Sequence, residues 1–341
     1  MSEENLYKNP NGILKIIKYN SSYKDKLISF ILNFEIEELN TLNIFEKDLS
    51  KENLKEKLNL LIDTNNIIFY FLQKDKNAQI LGLYCLNISN QSNNISFIIN
   101  ANERNKSFGK IGLHLLLKEL STNNPDINEY HFTVSKKNIY AYLIIFGNNA
   151  SILKETDTEY TLKILKNNNV WLHKVTIEDL PKVMEITSSA KKLLKQNGSL
   201  QWQQGYPNEE TFTKDIKSGN LYGLYEDNEL MGYGAYIYGK DLNYVEIEGG
   251  KWDIPANEKD MAIHRVAVDE HCHGKKYGIK ILEYGVKYAK KLGCLTVKVD
   301  THKNNIPMQK CITKSGFLYR GIIKILTEKL DNLRLAYEIV L

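Results

Sequence analysis

The sequence predicts an α/β fold with mixed sheets, built as two copies of one domain in tandem. Its 341 residues suit two domains of roughly 100–200 residues each. Apolar stretches with the alternation of strands are interleaved with stretches of helical spacing, an order typical of layered strands and helices. In addition, several blocks of the second half match blocks of the first half at a nearly constant offset.

The repeat is carried by three blocks. At an offset of 166 residues, IHRVAVDE (263–270) lies over FIINANER (97–104), and KYGIKIL (276–282) lies over KIGLHLL (110–116). At an offset of 167 residues, Asn305 lies over Asn138. The asparagine run at 167–169 favours a turn between the copies. We therefore expect one domain at 1–166 and a second at 170–341.

The second copy can be divided into elements from its patterning. Thr176, with Asp179 three residues later, has the pattern of a capping box that starts the first helix. A turn at 226–228 joins two strands of a hairpin, and Gly293 ends the long helix before it. The expected strands are 170–174, 221–225, 229–238, 261–268, 295–301, 317–325 and 333–340, and the expected helices are 176–194, 209–217, 276–292 and 305–314.

Composition excludes several classes of protein. The 45 basic and 41 acidic residues give a net charge of +4, which is too small and too dispersed for a nucleic-acid partner. The four cysteines lack CxxC spacing, and adjacent residues such as HCH (271–273) rarely converge on one ion, so we expect no metal. The start MSEENLYKNPNG has no signal-peptide pattern, and the tract AYLIIFG is too short to span a bilayer. We expect a soluble cytoplasmic protein without a membrane partner.

One stretch, 266–279, combines the features of an anion site. A strand ends there, a short loop follows, and a helix begins, so amide donors and the positive end of the helix dipole are available. Gly274 and Gly278 permit close approach of the backbone, while Lys275 and Lys276 add positive charge. Such a site suits a pyrophosphate. The alternative is an ordinary strand–helix connection, since neither GxxxxGK[ST] nor GxGxxG is present.

The second copy resembles the GNAT superfamily of N-acetyltransferases. The signature of that family, [QR]-x-x-G-x-[GA], lies between a strand and a helix and binds the pyrophosphate of acetyl-CoA. It maps onto 273–278 of this chain, where only the last glycine, Gly278, is kept. His273 stands at the Gln/Arg position and Lys276 at the first glycine.

Four further segments carry the resemblance through nearly all of 170–341. Two of them, DTHKNNIPMQ (300–309) and KSGF (314–317), resemble the Asn-bearing helix and the closing Gly-Phe of the family. The other two, QWQQGYP (201–207) and HRVAV (264–268), resemble a bacterial subgroup. The resemblance implies a GNAT acyl-CoA N-acyltransferase fold for this copy and, through the repeat, for the first copy.

The resemblance also implies a reaction and a co-substrate. The reaction is acetyl transfer from acetyl-CoA to the primary amine of a small molecule, by direct attack in a ternary complex. Backbone amides of 266–268, on a splayed strand, would hold the pantetheine arm and the thioester carbonyl. The cofactor-binding residues that it implies are Val266, Ala267, Val268, His273, Gly274, Lys275, Lys276, Tyr277, Gly278, Ile279 and Asn305.

We expect His264 to be the general base. Some family members carry a Glu on this strand, and the matching position here is Ala262. His264 lies two residues further and therefore on the same strand face, and an imidazole accepts a proton near neutral pH. The alternative is a hydrogen-bonded histidine of the core. Because Ile312 replaces the tyrosine that is the usual general acid, the thiolate leaves without a tyrosine donor or with another group such as Tyr319.

The acceptor is expected to bind near the loop after the first helix. Trp202 and Tyr206 are predicted to form an aromatic wall of the acceptor pocket, with a role as core anchors as the alternative. His302 ends a strand and is predicted to line the same side, with a loop-stabilising hydrogen bond as the alternative. In the insertion 239–260, Glu246, Glu248 and Trp252 either attract a cationic amine or belong to a solvated loop.

The first copy resembles the family only faintly. Its equivalent loop is expected at SFGKIG (107–112), and the region after it is short and lacks counterparts of DTH and MQ. We expect a degenerate copy that serves as a scaffold; the alternatives are a second CoA site and a substrate platform. For the whole chain, a non-catalytic CoA-binding module and a protein acetyltransferase remain open. We expect a monomer or a homodimer, because a tandem pair can replace the dimer of single-copy relatives.

Overall fold

The computed structural model describes residues 6–9, 12–45, 48–64, 66–74, 79–88, 93–124, 126–272, 274–328 and 331–341. The chain divides into two compact units, 1–169 and 170–341, and each unit has its own mixed sheet. No helix among the described residues combines the length and the apolar character that a membrane span requires.

The described part of the first unit contains eight strands and five α-helices. The strands are β1 (Leu6–Asn9), β2 (Gly12–Lys18), β3 (Ile67–Lys74), β4 (Gln79–Asn87), β5 (Asn94–Ile99), β6 (Glu129–Ser135), β7 (Ser151–Glu155) and β8 (Glu159–Leu165). The helices are α1 (Lys24–Leu32), α2 (Ile36–Asn40), α3 (Leu54–Asp63), α4 (Phe108–Asn123) and α5 (Ile139–Gly147). The strands pair in the order β1-β2-β3-β4-β5-β6-β8-β7, and β5 runs parallel to β6.

The core of the first unit lies between the three short helices α1–α3 and one face of the sheet. The apolar side chains of these helices recur at helical spacing and pack on alternate residues of β3 and β4, which removes both surfaces from water. The buried cluster includes Leu27, Phe30, Ile31, Leu39, Leu58, Phe69, Phe71 and Leu83.

Helix α4 begins earlier than the sequence predicts. The segment 107–112, expected as a loop, is helical from Phe108, so that expectation is wrong. Gly112 lies inside the helix, where an added Cβ would come within 2.1 Å of the hydroxyl oxygen of Tyr84. That hydroxyl donates to the carbonyl oxygen of Gly109 at 3.0 Å. Gly112 is therefore a packing glycine that makes room for a tyrosine of the sheet.

The second unit has the elements that its patterning predicts, with ends that differ by a few residues. The strands are β9 (Val170–Lys174), β10 (Leu221–Glu226), β11 (Glu229–Tyr238), β12 (Asp260–Val268), β13 (Thr296–Thr301), β14 (Leu318–Lys324) and β15 (Leu333–Val340). The helices are α6 (Leu180–Gln196), α7 (Glu209–Lys217), α8 (Tyr277–Lys291) and α9 (Ile306–Lys314). The described strands pair in the order β14-β15-β13-β12-β11-β10-β9.

Strands β12 and β13 separate halfway along β12. They pair in parallel over 260–263 of β12, and among the described strands none pairs with 264–268 on that side. On its other side, β12 pairs with β11, but a register shift interrupts the ladder. Arg265 lies at this shift with a φ of +52°, which is uncommon for a residue of this size. The main chain of 264–268 therefore borders an opening in the sheet.

The insertion between β11 and β12 is fastened to the unit by buried contacts. Tyr244 and Trp252 pack edge to face at 5.7 Å between ring centroids. The ammonium group of buried Lys298 lies 5.3 Å from the centre of the Trp252 ring. Further along, the backbone amide of Asp253 donates to the buried carboxylate of Glu338 at 2.9 Å. Trp252 is thus a packing residue and belongs neither to a solvated loop nor to an acceptor site.

Helix α6 starts with the capping box that the sequence predicts. The backbone amide of Thr176 donates to the carboxylate of Asp179 at 2.8 Å, and the hydroxyl group of Thr176 donates to the same oxygen at 2.9 Å. A turn at 177–179 leads from this cap into the helix. The prediction of the cap is therefore confirmed.

Removing this cap is expected to destabilise the second unit. Thr176→Ala deletes the hydroxyl group and costs about 1 kcal/mol of the free energy of unfolding. Because Trp171, Trp202 and Trp252 all lie in this unit, urea unfolding followed by tryptophan fluorescence reports its stability. The control is Thr313→Ala, which removes a hydroxyl group from an exposed position on α9 and is expected to cost under about 0.5 kcal/mol. Equal losses in the two variants would contradict the role of the cap.

Candidate functional site

A cavity of about 1190 Å³ lies in the second unit where β12 and β13 separate. Its walls come from these two strands, from the first turns of α8 and α9, and from α6 and α7. Side chains of the segments 201–206, 241–243 and 325–328 complete the lining. The volume exceeds the roughly 300–1,000 Å³ typical of sites for one drug-sized ligand, so the cavity has room for two reactants.

The start of α8 forms one end of the cavity. Gly274 has a φ of +86° and Lys276 a φ of +61°, so the loop turns sharply into the helix. The amide of Lys280 donates to the carbonyl of Lys276, which leaves the amides of 277–279 at the cavity without partners inside the helix. Amides without partners and the positive end of a helix dipole attract anions. His273, which the sequence analysis assigns to this site, lies outside the described residues.

Three lysines add positive charge to the cavity wall near this end. They are Lys276 before α8, and Lys310 and Lys314 on α9. Lys275 points elsewhere, since its ammonium group donates to the carboxylate of Glu226 at 2.7 Å. That hydrogen bond is the main reason why the pKa of Glu226 is lowered. The structure therefore brings Lys276, but not Lys275, to the lining.

Helix α9 begins at the cavity with Asn305 as its N-cap. The side-chain oxygen of Asn305 accepts from the amide of Met308 at 3.4 Å, and both residues line the cavity. Ile312, further along α9, is fully buried. Tyr319 lies on β14 and is 51% exposed, away from the lining residues. Neither Ile312 nor Tyr319 brings a proton donor to the cavity.

His264 lies on the cavity wall where β12 leaves β13. Its Nε2 is 2.8 Å from Oδ2 of Asp241, an acidic residue of the insertion. Its ring stacks on the ring of Tyr244 with a centroid distance of 5.9 Å. Burial raises the pKa of Asp241, but hydrogen bonds from His264 and Asn243 lower it by more, so the carboxylate is ionised at neutral pH. The imidazole is 18% exposed, so it is not sealed in the core.

A network around Arg265, which the sequence analysis does not foresee, lies beside His264. The guanidinium group of Arg265 donates to both carboxylate oxygens of Asp215 at 2.8 and 3.1 Å, and to the hydroxyl oxygen of Tyr206 at 2.6 Å. Burial raises the pKa of Asp215 although Arg265 opposes the shift. One signal was available in the sequence. Asp215 falls on the apolar face of α7, and a carboxylate there needs a partner.

Two further carboxylates line the cavity near the end of β13. Asp300 accepts from the hydroxyl group of Tyr244 at 2.7 Å. Glu328 pairs with buried Arg334, and burial raises its pKa despite this pairing. Asp215 and Asp241 line the cavity as well, together with the basic residues Arg265, Arg334, Lys192 and Lys214. No group of three or more metal-binding side chains is found in the described part of the chain.

The residues predicted for the acceptor side fall into two groups. Trp202 and Tyr206 line the cavity. His302 does not, because it is buried behind the end of β13. Its Nδ1 accepts from the amide of Asn304 at 3.1 Å, and its Nε2 lies 2.9 Å from a carboxylate oxygen of Asp331. The contacts of His302 are those of a residue that stabilises a loop.

Comparison with known protein families identifies part of this unit. Residues 187–317 match the model of the family described as "Acetyltransferase (GNAT) family". The match covers α6 to α9 and therefore most of the cavity lining. None of the curated proteins matches the chain.

Solved structures similar to the chain include three acetyltransferases. An acetyltransferase of the GNAT family from Streptococcus agalactiae is 27% identical, with a TM-score of 0.45, over 50% of this chain and 95% of that one. A spermidine N-acetyltransferase from Vibrio cholerae, in complex with CoA and spermine, is 15% identical, with a TM-score of 0.37, over 47% and 98%. A ribosomal-protein-alanine N-acetyltransferase from Brucella melitensis is 16% identical, with a TM-score of 0.38, over 50% and 99%.

Proposed function

We propose that the GNAT acetyltransferase domain at residues 187–317 makes the second unit an acetyl-CoA-dependent N-acetyltransferase whose acceptor is a small primary amine. The observation that carries this proposal is the cavity between β12 and β13, which joins an anion-binding helix start to a partly exposed imidazole. Such a cavity holds two reactants with a proton acceptor beside them.

The residues at the start of α8 and α9 fit the phosphate end of acetyl-CoA. The amides of 277–279 and the positive helix end attract a pyrophosphate, and Lys276, Lys310 and Lys314 add charge. The open edge of β12 at 266–268 fits the amide groups of a pantetheine arm, as it would fit another strand. Because these contacts come from the main chain, we expect substitutions of Val266 or Val268 to be tolerated.

The chemistry of the transfer follows from the bound thioester and from groups of the chain. Acetyl-CoA supplies an acetyl thioester: the amine nitrogen forms the C–N bond, the C–S bond breaks, and CoA leaves as a thiol. His264 accepts the proton that the nitrogen loses. Backbone amides of 266–268 donate to the thioester oxygen as it gains negative charge. An amine that enters as an ammonium ion loses one proton before attack and a second as the amide forms. The sulfur takes up one proton and the other passes to water, so no tyrosine is needed at Ile312 to balance the reaction.

The carboxylate of Asp300 supports a cationic amine as the acceptor. Asp300 attracts an ammonium group through charge, and the aromatic rings of Trp202 and Tyr206 favour a cation on their faces. A protein substrate would need a groove for its backbone, whereas Asp300 lines a cavity. The observations therefore favour a small molecule over a protein.

The first unit is proposed to be a degenerate copy of the same domain. Asn138 and Asn305 each cap a helix of nine residues, and each accepts from the amide three residues later. Ser107 and Lys276 precede the long helices with φ of +65° and +61°. However, β4 and β5 pair without a register shift, so β5 has no counterpart of the distortion at Arg265. These features support common ancestry with loss of the acyl-binding strand geometry.

Titration of acetyl-CoA into the full chain by isothermal titration calorimetry is expected to give one site per chain. Two sites would contradict a degenerate first unit, and no binding would remove the acetyltransferase function.

Lys310→Glu, on the cavity wall, should weaken the binding of acetyl-CoA, whereas the matched control Lys303→Glu, at an exposed position outside the lining, should not. Release of free CoA thiol with a panel of small amines then separates an enzyme from a module that only binds CoA.

A further inference from the structure

We propose that Asp241 is a positioning residue that fixes the tautomer of His264, so that Nε2 carries the hydrogen and Nδ1 accepts the proton of the acceptor amine. The role in proton transfer rests on the proposed function. The tautomer itself rests on geometry alone and can be measured without turnover.

The first argument is that the two carboxylate oxygens of Asp241 have different hydrogen-bond partners. Oδ1 accepts from the backbone amide of Asn243 at 2.8 Å and from its side-chain amide at 2.9 Å. Oδ2 is thereby turned towards Nε2 of His264, at 2.8 Å. An ionised carboxylate can only accept hydrogen bonds, so the hydrogen between the two groups is on Nε2.

The second argument concerns the other ring nitrogen. A neutral imidazole carries one N–H, so a hydrogen on Nε2 leaves a lone pair on Nδ1. Within the described residues, no hydrogen-bond partner of Nδ1 of His264 is found, and the side chain lines the cavity. Within the described residues Nε2 is thus engaged by Asp241, whereas no partner is found for the lone pair on Nδ1.

The third argument is that one turn holds the ring in place from two sides. Asp241 bonds to the edge of the His264 ring, and Tyr244, three residues later, stacks on its face with an interplanar angle of 13°. Tyr244 is itself fixed by its hydrogen bond to Asp300. Asn243 holds this turn in place, because its side-chain oxygen accepts from the amide of Leu326 at 2.9 Å. The ring therefore has little freedom to present Nε2 to the cavity instead.

Two other carboxylates of the cavity are engaged by arginines, and a third, Asp300, accepts from the hydroxyl group of Tyr244. Both oxygens of Asp215 accept from Arg265, and Glu328 accepts from Arg334. Arginine keeps its charge at every relevant pH, so these carboxylates stay paired. His264 has a lone pair for which the described residues give no partner, and a ring whose orientation is fixed by Asp241 and Tyr244.

The test uses Asp241→Asn, which keeps the size of the side chain. The donors of Asn243 hold the amide oxygen at the Oδ1 position, so the NH₂ group takes the Oδ2 position and donates to Nε2. We therefore expect His264 to carry its hydrogen on Nδ1 in this variant. Loss of the lone pair from the cavity side is expected to lower kcat about 10²- to 10⁴-fold, with the Kd of acetyl-CoA within about 2-fold.

Nitrogen NMR of the full chain labelled at its seven histidines reads the tautomer directly, at a pH where imidazoles are neutral. His264→Gln assigns the signal. Asp253→Asn makes the same chemical change elsewhere in the insertion, outside the cavity lining, and should leave both the tautomer and kcat unchanged.

A reversed tautomer together with a lowered kcat in Asp241→Asn supports the proposal. An Nδ1–H form in the wild type overturns it, and so does an unchanged kcat in a variant whose tautomer has reversed. If the wild type acetylates no amine, the proposed function fails, while an Nε2–H signal still supports the positioning of His264 by Asp241.

Discussion

Replacing Gly278 with Glu is expected to lower the affinity for acetyl-CoA at least about 100-fold. Gly278 is the second residue of α8, among the amides that face the cavity. A carboxylate there would compete with the pyrophosphate for the amide donors and repel it by charge. An added Cβ would also lie 3.2 Å from Sγ of Cys311 on α9. Calorimetric titration of acetyl-CoA measures the loss.

The matched variant Gly278→Ala separates charge from shape. It adds the Cβ that must displace Cys311 slightly but adds no charge, so we expect a much smaller loss of affinity. Melting temperatures of both variants show whether the packing of α8 on α9 survives. Unchanged affinity in a folded Gly278→Glu variant would mean that the pyrophosphate does not bind at the start of α8.

His264→Ala is expected to lower kcat about 10²- to 10⁴-fold and to leave the Kd of acetyl-CoA within about 2-fold. The proposed proton acceptor is lost, whereas the helix start and the lysines proposed to bind the phosphates are untouched. Steady-state rates of CoA release at saturating amine give kcat, and calorimetry gives the Kd.

The control for this variant is His271→Ala. His271 is an exposed histidine of the loop between β12 and α8, outside the cavity lining. Its removal should therefore change neither kcat nor the Kd of acetyl-CoA. If kcat in His264→Ala stays within about 2-fold of the wild type, His264 is a structural residue. Proton transfer would then have to run through water or through another group of the cavity, such as Asp300.

The elements of the second unit could be predicted because their signals are local. Alternation marks β12, the pattern of Thr176 and Asp179 marks the start of α6, and Asn305 marks the start of α9. Each depends on residues within a few positions of one another. The same is true of the helix start near Gly278, where a strand, a glycine loop and a helix follow in order.

The partners of the site could not be predicted because they are distant in sequence. Asp241 and His264 are 23 residues apart across an insertion without periodicity, and Arg265 and Asp215 are 50 residues apart. No pattern of spacing connects such pairs. For His302, polarity at the end of a strand suggested a place on the acceptor side, but the carboxylate of Asp331 across the loop turns the ring away from the cavity.

The sequence alignment of the two halves pairs two glycines that lie at different positions in their helices. KIGLHLL and KYGIKIL align through Lys and Gly, which places Gly112 over Gly278. In the structure the two long helices begin 169 residues apart, at Phe108 and Tyr277, so Gly109, not Gly112, is the second residue of its helix as Gly278 is. Gly112 instead gives space to Tyr84. A glycine in a sequence pattern does not reveal whether it serves a turn, a ligand or a neighbouring side chain.

The buried contacts of the insertion between β11 and β12 affect how reactants enter and leave the cavity. Segments that open and close during turnover carry few buried contacts, whereas this insertion buries Trp252 and is bonded to β15 through Asp253. We expect it to stay in place while the amine enters and the acetylated product leaves. Entry and release of the reactants are then expected not to depend on an opening of this insertion.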